Sequence, residues 1–255
     1  MMKRELNLLF TAIVSYTRLP SPVQLTYSEQ IMTESFRYFP LVGIITGSLG
    51  ALLYLLLSFC FTLPVAVIGT LSGLALITGC MHEDGFADFF DGFGGGYTKE
   101  RILAIMKDSH IGAFGVIALI LLFLLKTAIF VSIDAAVFPV LLISAHSLSR
   151  VYPLFLINTS VYARTEASKG DYTRNRISGK SILLATITGL IPLLFLPYVF
   201  IGTAILSASL FFLLYRSYLN RRIQGFTGDT LGALQQFTEI LIFLSYLFCS
   251  KLWEM

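Results

Sequence analysis

Residues 111–133 read IGAFGVIALILLFLLKTAIFVSI, twenty-three positions with one charge, Lys126. A helix of that length rises about 35 Å, enough to cross a hydrocarbon layer of about 30 Å. Comparable apolar runs cover 39–61, 63–81, 138–157, 181–196, 198–215 and 234–249, which makes seven candidate spans. Hydrophobic residues fill 56% of the chain, charged residues 13%, and mean hydropathy is +0.79. These values exclude an ordinary soluble domain. The expected fold is an all-α, polytopic membrane bundle of about seven transmembrane helices.

The connections fall into two classes. Pro64, Pro197, and Asp134 with Pro139 mark tight turns on one side of the membrane. On the other side lie the N-terminal stretch and the segments 82–110, 158–180 and 216–232, which together hold fifteen of the eighteen Lys and Arg residues. The positive-inside rule puts these four segments in the cytoplasm, and the bundle is expected in the cell's inner membrane. At the N-terminus Leu6, Leu9, Phe10, Ile13 and Val14 recur at helical spacing, predicting an amphipathic helix on the cytoplasmic interface. Arg18, Pro20 and Pro22 interrupt this stretch before any small-residue cleavage site, so a cleavable signal is not expected. With no polar segment much above about thirty residues, residues 1–255 read as one integral membrane domain. Its catalytic loops are expected near 82–110, 158–180 and 216–232. Cys60, Cys80 and Cys249 sit in apolar runs with no CxxC pairing, and read as small core residues.

Where acids are otherwise scarce, residues 82–108 (HEDGFADFFDGFGGGYTKERILAIMKD) hold six of them. Asp84, Asp88 and Asp91 are spaced i, i+4, i+7, a single stripe on a helix. Three carboxylates so placed repel one another unless a cation sits among them, and Mg2+ is the default hard ion. After the glycines at 92 and 94–96, Thr98 is a natural N-cap for a second helix. If that hairpin folds back, Asp108 becomes a fourth carboxylate and Arg101 a fixed cation beside it. A plain Arg101–Asp108 salt bridge is the alternative. Glu83 and Glu100 fall off these faces and read as solvated. Metal-bound aspartates beside Arg101 and Lys107 are equipment for phosphoryl transfer.

Two other groups stand out. Gly225, Thr227, Gly228 and Asp229 precede the last span, where glycine amides and a helix N-terminus can hold an anion; Asp229 either caps that helix or meets the metal. Arg150, one turn after His146, lies inside a span and faces a polar cavity or snorkels to the interface. His82, off the aspartate stripe, either contacts substrate or sits at the interface.

The run His82-x-Asp84-Gly85-x-x-Asp88-x-x-Asp91-Gly92, followed by Arg101-x-Leu103-x-Ile105-Met106-Lys107-Asp108-Ser109-x-x-Gly112, resembles the signature of the cobalamin synthase family. Thr17-Arg18-Leu19-Pro20, Phe39-Pro40-Leu41-Val42-Gly43 and Thr227-Gly228-Asp229-Thr230-x-Gly232-Ala233 extend the match over nearly the whole chain. His110 stands where the family often has Arg. The resemblance implies an adenosylcobinamide-GDP ribazoletransferase, a phosphotransferase for substituted phosphate groups that uses Mg2+ and releases GMP. Its partners would be adenosylcobinamide-GDP and alpha-ribazole or its 5′-phosphate, with no nucleic acid; association into a homo-oligomer is left open. It assigns Asp84, Asp88, Asp91 and Asp108 to metal and catalysis, Arg101 and Lys107 to phosphate, and Arg18, His82, Arg150, Thr227 and Asp229 to substrate.

Two rivals fit less well. A CDP-alcohol phosphotransferase shares Asp88-x-x-Asp91-Gly92, but Phe93 to Gly96 replaces the expected continuation and Gly112 stands where a final aspartate belongs. A cation transporter would carry its acids at mid-membrane on paired broken helices, and this stripe lies at span ends.

Overall fold

A computed structural model describes residues 2–164, 173 and 175–253. Twelve α-helices follow in order among them: α1 (Met2–Tyr16), α2 (Glu29–Ser35), α3 (Phe39–Cys60), α4 (Leu63–Thr78), α5 (Met81–Gly95), α6 (Lys99–Ile105), α7 (Ala113–Val131), α8 (Phe138–Ser149), α9 (Tyr152–Thr159), α10 (Gly179–Leu190), α11 (Tyr198–Ile223) and α12 (Gly228–Trp253). Short 3-10 turns join α2 to α3 and continue α10. Pro40, Pro64, Pro139 and Pro153 each occupy the first turn of their helices, where a missing N–H costs nothing.

The protein is a multi-pass membrane protein. Five helical stretches are long and apolar enough to cross: 29–60, 113–131, 138–159, 198–223 and 228–252; α4 and α5 together make a sixth, bent by 91°. The count of seven is not reached for a geometric reason. With 16 residues, α4 rises only about 24 Å, short of the apolar layer by itself, and the 179–195 stretch is likewise a short apolar helix. Residues 216–223, expected in a loop, are the end of α11. Lys169 and Arg174, counted among the cytoplasmic charges, lie outside the described residues.

Burial separates the helices into layers. Along α8, Phe138, Leu141, Leu142 and Ala145 are wholly enclosed, whereas α7 and α11 turn Leu121, Leu124, Leu206, Leu210, Leu213 and Leu214 outward, as lipid-facing helices do. The closest crossing is α3 on α8. A Cβ on Gly43 would come within 2.3 Å of the His146 carbonyl, and one on Gly47 within 2.7 Å of the Ile143 Cα. This small-xxx-small spacing lets two backbones touch where lipid supplies no hydrophobic drive. Cys249 is buried, as expected, but Cys60 and Cys80 are exposed.

The bend between α4 and α5 positions the acidic helix. Gly79 (φ 66°) and Cys80 (φ 58°) are consecutive left-handed residues, and the pair turns the helix path through 91° at once. Cys80 donates its amide to Ala75 O at 2.8 Å, and Arg18 donates its own to Ile77 O at 2.7 Å, so the freed carbonyls are satisfied. Arg18 therefore has a structural part here: its side chain packs against Gly79, 2.4 Å from where a Cβ would stand. The helix α1 is formed as expected, but its buried face is Leu8, Ala12, Ile13 and Tyr16; of the residues expected on the apolar face only Ile13 is buried, while Leu9, Phe10 and Val14 are half-buried and Leu6 is exposed. Its charged face is tied down by Arg4 to Glu34 and Arg37 to Glu5.

Candidate active site

The aspartate stripe lies on α5 as its spacing requires, with Asp84 exposed, Asp88 half-buried and Asp91 buried. What completes it is α12. A Cβ on Gly85 would meet the Asp229 carbonyl oxygen at 2.8 Å, so only glycine lets the start of α12 touch α5. This contact brings Asp229 to the stripe: the charged groups acting on Asp88 are Asp229, Asp84, Asp91 and Arg164. Arg164 donates to Asp229 Oδ2 at 2.8 Å and to the Met106 carbonyl at 3.3 Å. It is delivered by a parallel bridge between Tyr162 and Phe226, in which Ala163 N donates to Phe226 O at 2.8 Å. Asp88 and Asp229 thus share Arg164 as a cationic neighbour.

Thr227, not Asp229, caps α12. Thr230 N donates to Thr227 Oγ1 at 3.3 Å, and Thr227 N donates to Thr230 Oγ1 at 2.9 Å. Asp229 is thereby left to the site. A cavity of about 220 Å3 opens beside it, lined by Asp84, Asp229, His82, Met81, Thr173, Gly228, Leu231 and Gly232 together with Tyr16, Phe36, Phe39 and Pro153. His82 is buried, its ring stacked on Phe39 at 6.1 Å.

The structure does not gather all four expected aspartates. Asp91 accepts from the Gly112 amide at 2.7 Å and the Gly115 amide at 2.8 Å, so its charge sits on the N-terminus of α7. Asp108 falls beyond the end of α6, fully exposed, and accepts from the His110 amide at 3.0 Å, with the His110 ring at 2.7 Å; these contacts hold its carboxyl below the usual range. Asp108 is absent from the groups acting on Asp88. Thr98 does cap α6, accepting from the Arg101 amide. Arg101, Asp108, His110 and Asp91 line a second, wider pocket of about 460 Å3 toward the C-terminal end of α5. Lys107 is exposed next to it. Glu100 is exposed as expected.

Glu83 corrects the sequence reading: it is not solvated. One residue before Asp84, it turns inward and accepts from Gln236 Nε2 at 3.1 Å. Behind it runs a buried polar core. Lys126 donates to Glu239 Oε1 at 2.6 Å and Gln236 Oε1 at 2.7 Å; Gln235 donates to Glu239 Oε2 at 2.6 Å and Ser149 Oγ at 3.0 Å. Arg150 faces this core and does not snorkel: it is 1% exposed, donates to the His146 carbonyl at 2.7 Å and lies over the Phe39 ring. A cavity of about 20 Å3 remains among these side chains, where His82 Nε2, Glu83 Oε2 and Arg150 Nε have no protein partner. That is room for one water with three polar contacts.

The donor chemistry suits Mg2+. Among the described residues no three His, Cys, Asp or Glu side chains form a ready-made cage. Mg2+ commonly binds through one or two carboxylates plus substrate phosphates and water, however, so a converging pair of aspartates with room for a ligand is an adequate protein share.

A family model described as cobalamin-5-phosphate synthase matches residues 8–247. The chain belongs to that family. Among curated relatives, one from Vibrio cholerae serotype O1 is 41% identical over 246 residues, covering 95% of this chain and 94% of the relative. One from Shewanella amazonensis is 38% identical over 250 residues, covering 95% of each chain. A third, from Vibrio parahaemolyticus, is 35% identical over 246 residues, covering 96% and 93%. All three are named adenosylcobinamide-GDP ribazoletransferase. No solved structure matches the chain.

Arg164 and Glu239 are the residues that sequence reading passed over. Arg164 carries no local signal beyond its charge, since its role depends on the Tyr162–Phe226 bridge. Glu239 did carry one: an acid inside an apolar span is expensive and demands a partner.

Proposed function

We propose that this chain is an adenosylcobinamide-GDP ribazoletransferase, acting at the cytoplasmic face of the inner membrane in a late step of cobalamin synthesis. The observation that carries the reading is that Asp84 and Asp229 line one pocket, with Asp88 next to both and Arg164 bonded to Asp229, in a chain of this family. The acceptor's ribose 3′-hydroxyl oxygen forms a bond to the phosphate on the cobinamide aminopropanol arm. The bond between that phosphate and the bridging oxygen breaks, and GMP departs with the electron pair. The hydroxyl proton passes to a carboxylate of the site, Asp88 being central to the group.

Mg2+ would be held by a pair of carboxylates drawn from Asp84, Asp88 and Asp229, completed by substrate phosphates and water, and would supply charge neutralisation over the pyrophosphate. Arg164 holds Asp229 in place and adds positive charge at the same point. Asp91 anchors the far end of α5 to α7. Arg101, with Lys107 and His110 near it, provides the cationic side for the nucleotide diphosphate, and Asp108 keeps His110 oriented there. The catalytic segments are then 82–110, the 158–164 portion of the connection after α9, and the α11–α12 junction.

The test is purified protein in detergent or liposomes, supplied with adenosylcobinamide-GDP, alpha-ribazole and Mg2+. GMP release with formation of a cobalamin, abolished by EDTA and restored by Mg2+, is the expected result. Folded protein that releases no GMP would sink the assignment.

A further inference from the structure

Resting on that transferase reading, we propose that the aromatic end of the 220 Å3 cavity seats the base of the acceptor nucleoside, a flat and largely apolar bicycle of the benzimidazole kind, and that guanine binds elsewhere. Tyr16 stands 4.4 Å from Phe39 and 5.8 Å from Phe36, ring centre to ring centre, and the three form one wall of the cavity. Met81 and Leu231 close it with apolar surface. The carboxylates Asp84 and Asp229 lie among the residues that complete the lining, so a base stacked on the aromatic wall leaves its sugar hydroxyls toward the acids that activate them.

The chemistry of the wall selects the base. Stacking on aromatic rings suits any planar heterocycle. Guanine adds an edge of donors and acceptors that must be paired when buried. Among the described lining residues the polar side chains are Tyr16, His82, Asp84, Thr173 and Asp229; Asp229 is engaged by Arg164, and the transferase reading gives the carboxylates to the metal rather than to a base edge. A benzimidazole presents a single ring-nitrogen acceptor and no donor, a much smaller demand. The 460 Å3 pocket is the opposite case, lined by the charged and polar side chains Arg101, Asp91, Asp108 and His110 with the Phe114 ring; it offers a polar purine edge partners that an apolar bicycle does not need. A corrin ring is too large for the smaller cavity.

Two variants test this. Phe36→Leu keeps apolar bulk and removes a ring face; Met81→Trp, at a residue 39% exposed, fills the cavity mouth without disturbing the core. Steady-state GMP release should show the KM for alpha-ribazole raised about tenfold by Phe36→Leu, with the KM for adenosylcobinamide-GDP changed less than twofold, and Phe36→Tyr restoring wild-type behaviour. Equilibrium dialysis of alpha-ribazole against folded wild type and Met81→Trp should show binding lost in the variant. A rise confined to the GDP-bearing substrate, or equal in both, overturns the proposal, as does unchanged acceptor KM and binding in both variants. Should wild type bind alpha-ribazole through Phe36 yet release no GMP, the base seat stands and the transferase reading falls.

Discussion

Glu83 and Asp84 are neighbours in sequence, yet they belong to two different electrostatic worlds. Glu83 turns into a core where Lys126, Glu239, Gln235 and Gln236 bond one another at 2.6–3.1 Å and cations match acids. Asp84 turns to a rim where Asp84, Asp88 and Asp229 lie close together and, among the described residues, Arg164 pairs with Asp229. The balanced set holds helices together in a medium that punishes unpaired charge. The unbalanced set is an unmet demand for positive charge, and such a demand marks a place for a metal and for phosphates.

Breaking one side of this contrast should leave the other intact. Asp88→Asn should reduce GMP release to background, at least a hundredfold, while circular dichroism and thermal unfolding in detergent stay at wild type; retained turnover would remove Asp88 from the site. Lys126→Ala should do the reverse. It strands Glu239 as a buried charge and should cost about 3–5 kcal/mol of stability, read as a fall in unfolding temperature, and Lys126→Met with Glu239→Gln should recover most of it. Gly85→Leu drives a side chain into the Asp229 backbone and should cut kcat about ten- to a hundredfold, with a smaller change in unfolding temperature. Asp91→Asn gives the smallest effect: a lost helix-end charge of about 1 kcal/mol and turnover within about tenfold. A loss like that of Asp88→Asn would make Asp91 a ligand and move the rim toward α7.

Much of this was legible from spacing. The i, i+4, i+7 pattern gave a helix and a face, and the apolar runs gave a membrane bundle, because both follow from local geometry. Spacing could not say which oxygens the tertiary fold had already claimed. Asp91 belongs to the stripe by angle, but Gly112 and Gly115 lie twenty-one and twenty-four residues away and take both its oxygens. The 91° bend was illegible for a related reason, since Cys80 is a non-glycine in the left-handed region and nothing in its identity announces that. Asp229 was visible as part of a motif, but its place beside Asp88 depends on Gly85 and Gly232 at the crossing of α5 and α12. Arg101 and Asp108 were expected to share a helix face; α6 ends before Asp108, and they meet as walls of one pocket instead.

The close contact of Gly85 with Asp229 joins residues 144 positions apart, and this has a consequence for biosynthesis. During translation α5 emerges with its carboxylates early, and α12 follows only after α7, α8 and α11 have been handed to the bilayer. Until then the polar core lacks Glu239, Gln235 and Gln236, and Lys126 waits in lipid without its counterion. Assembly of the scaffold and completion of the site are therefore one event, triggered by insertion of the final helix, and a nascent chain cannot begin chemistry before its membrane domain is whole.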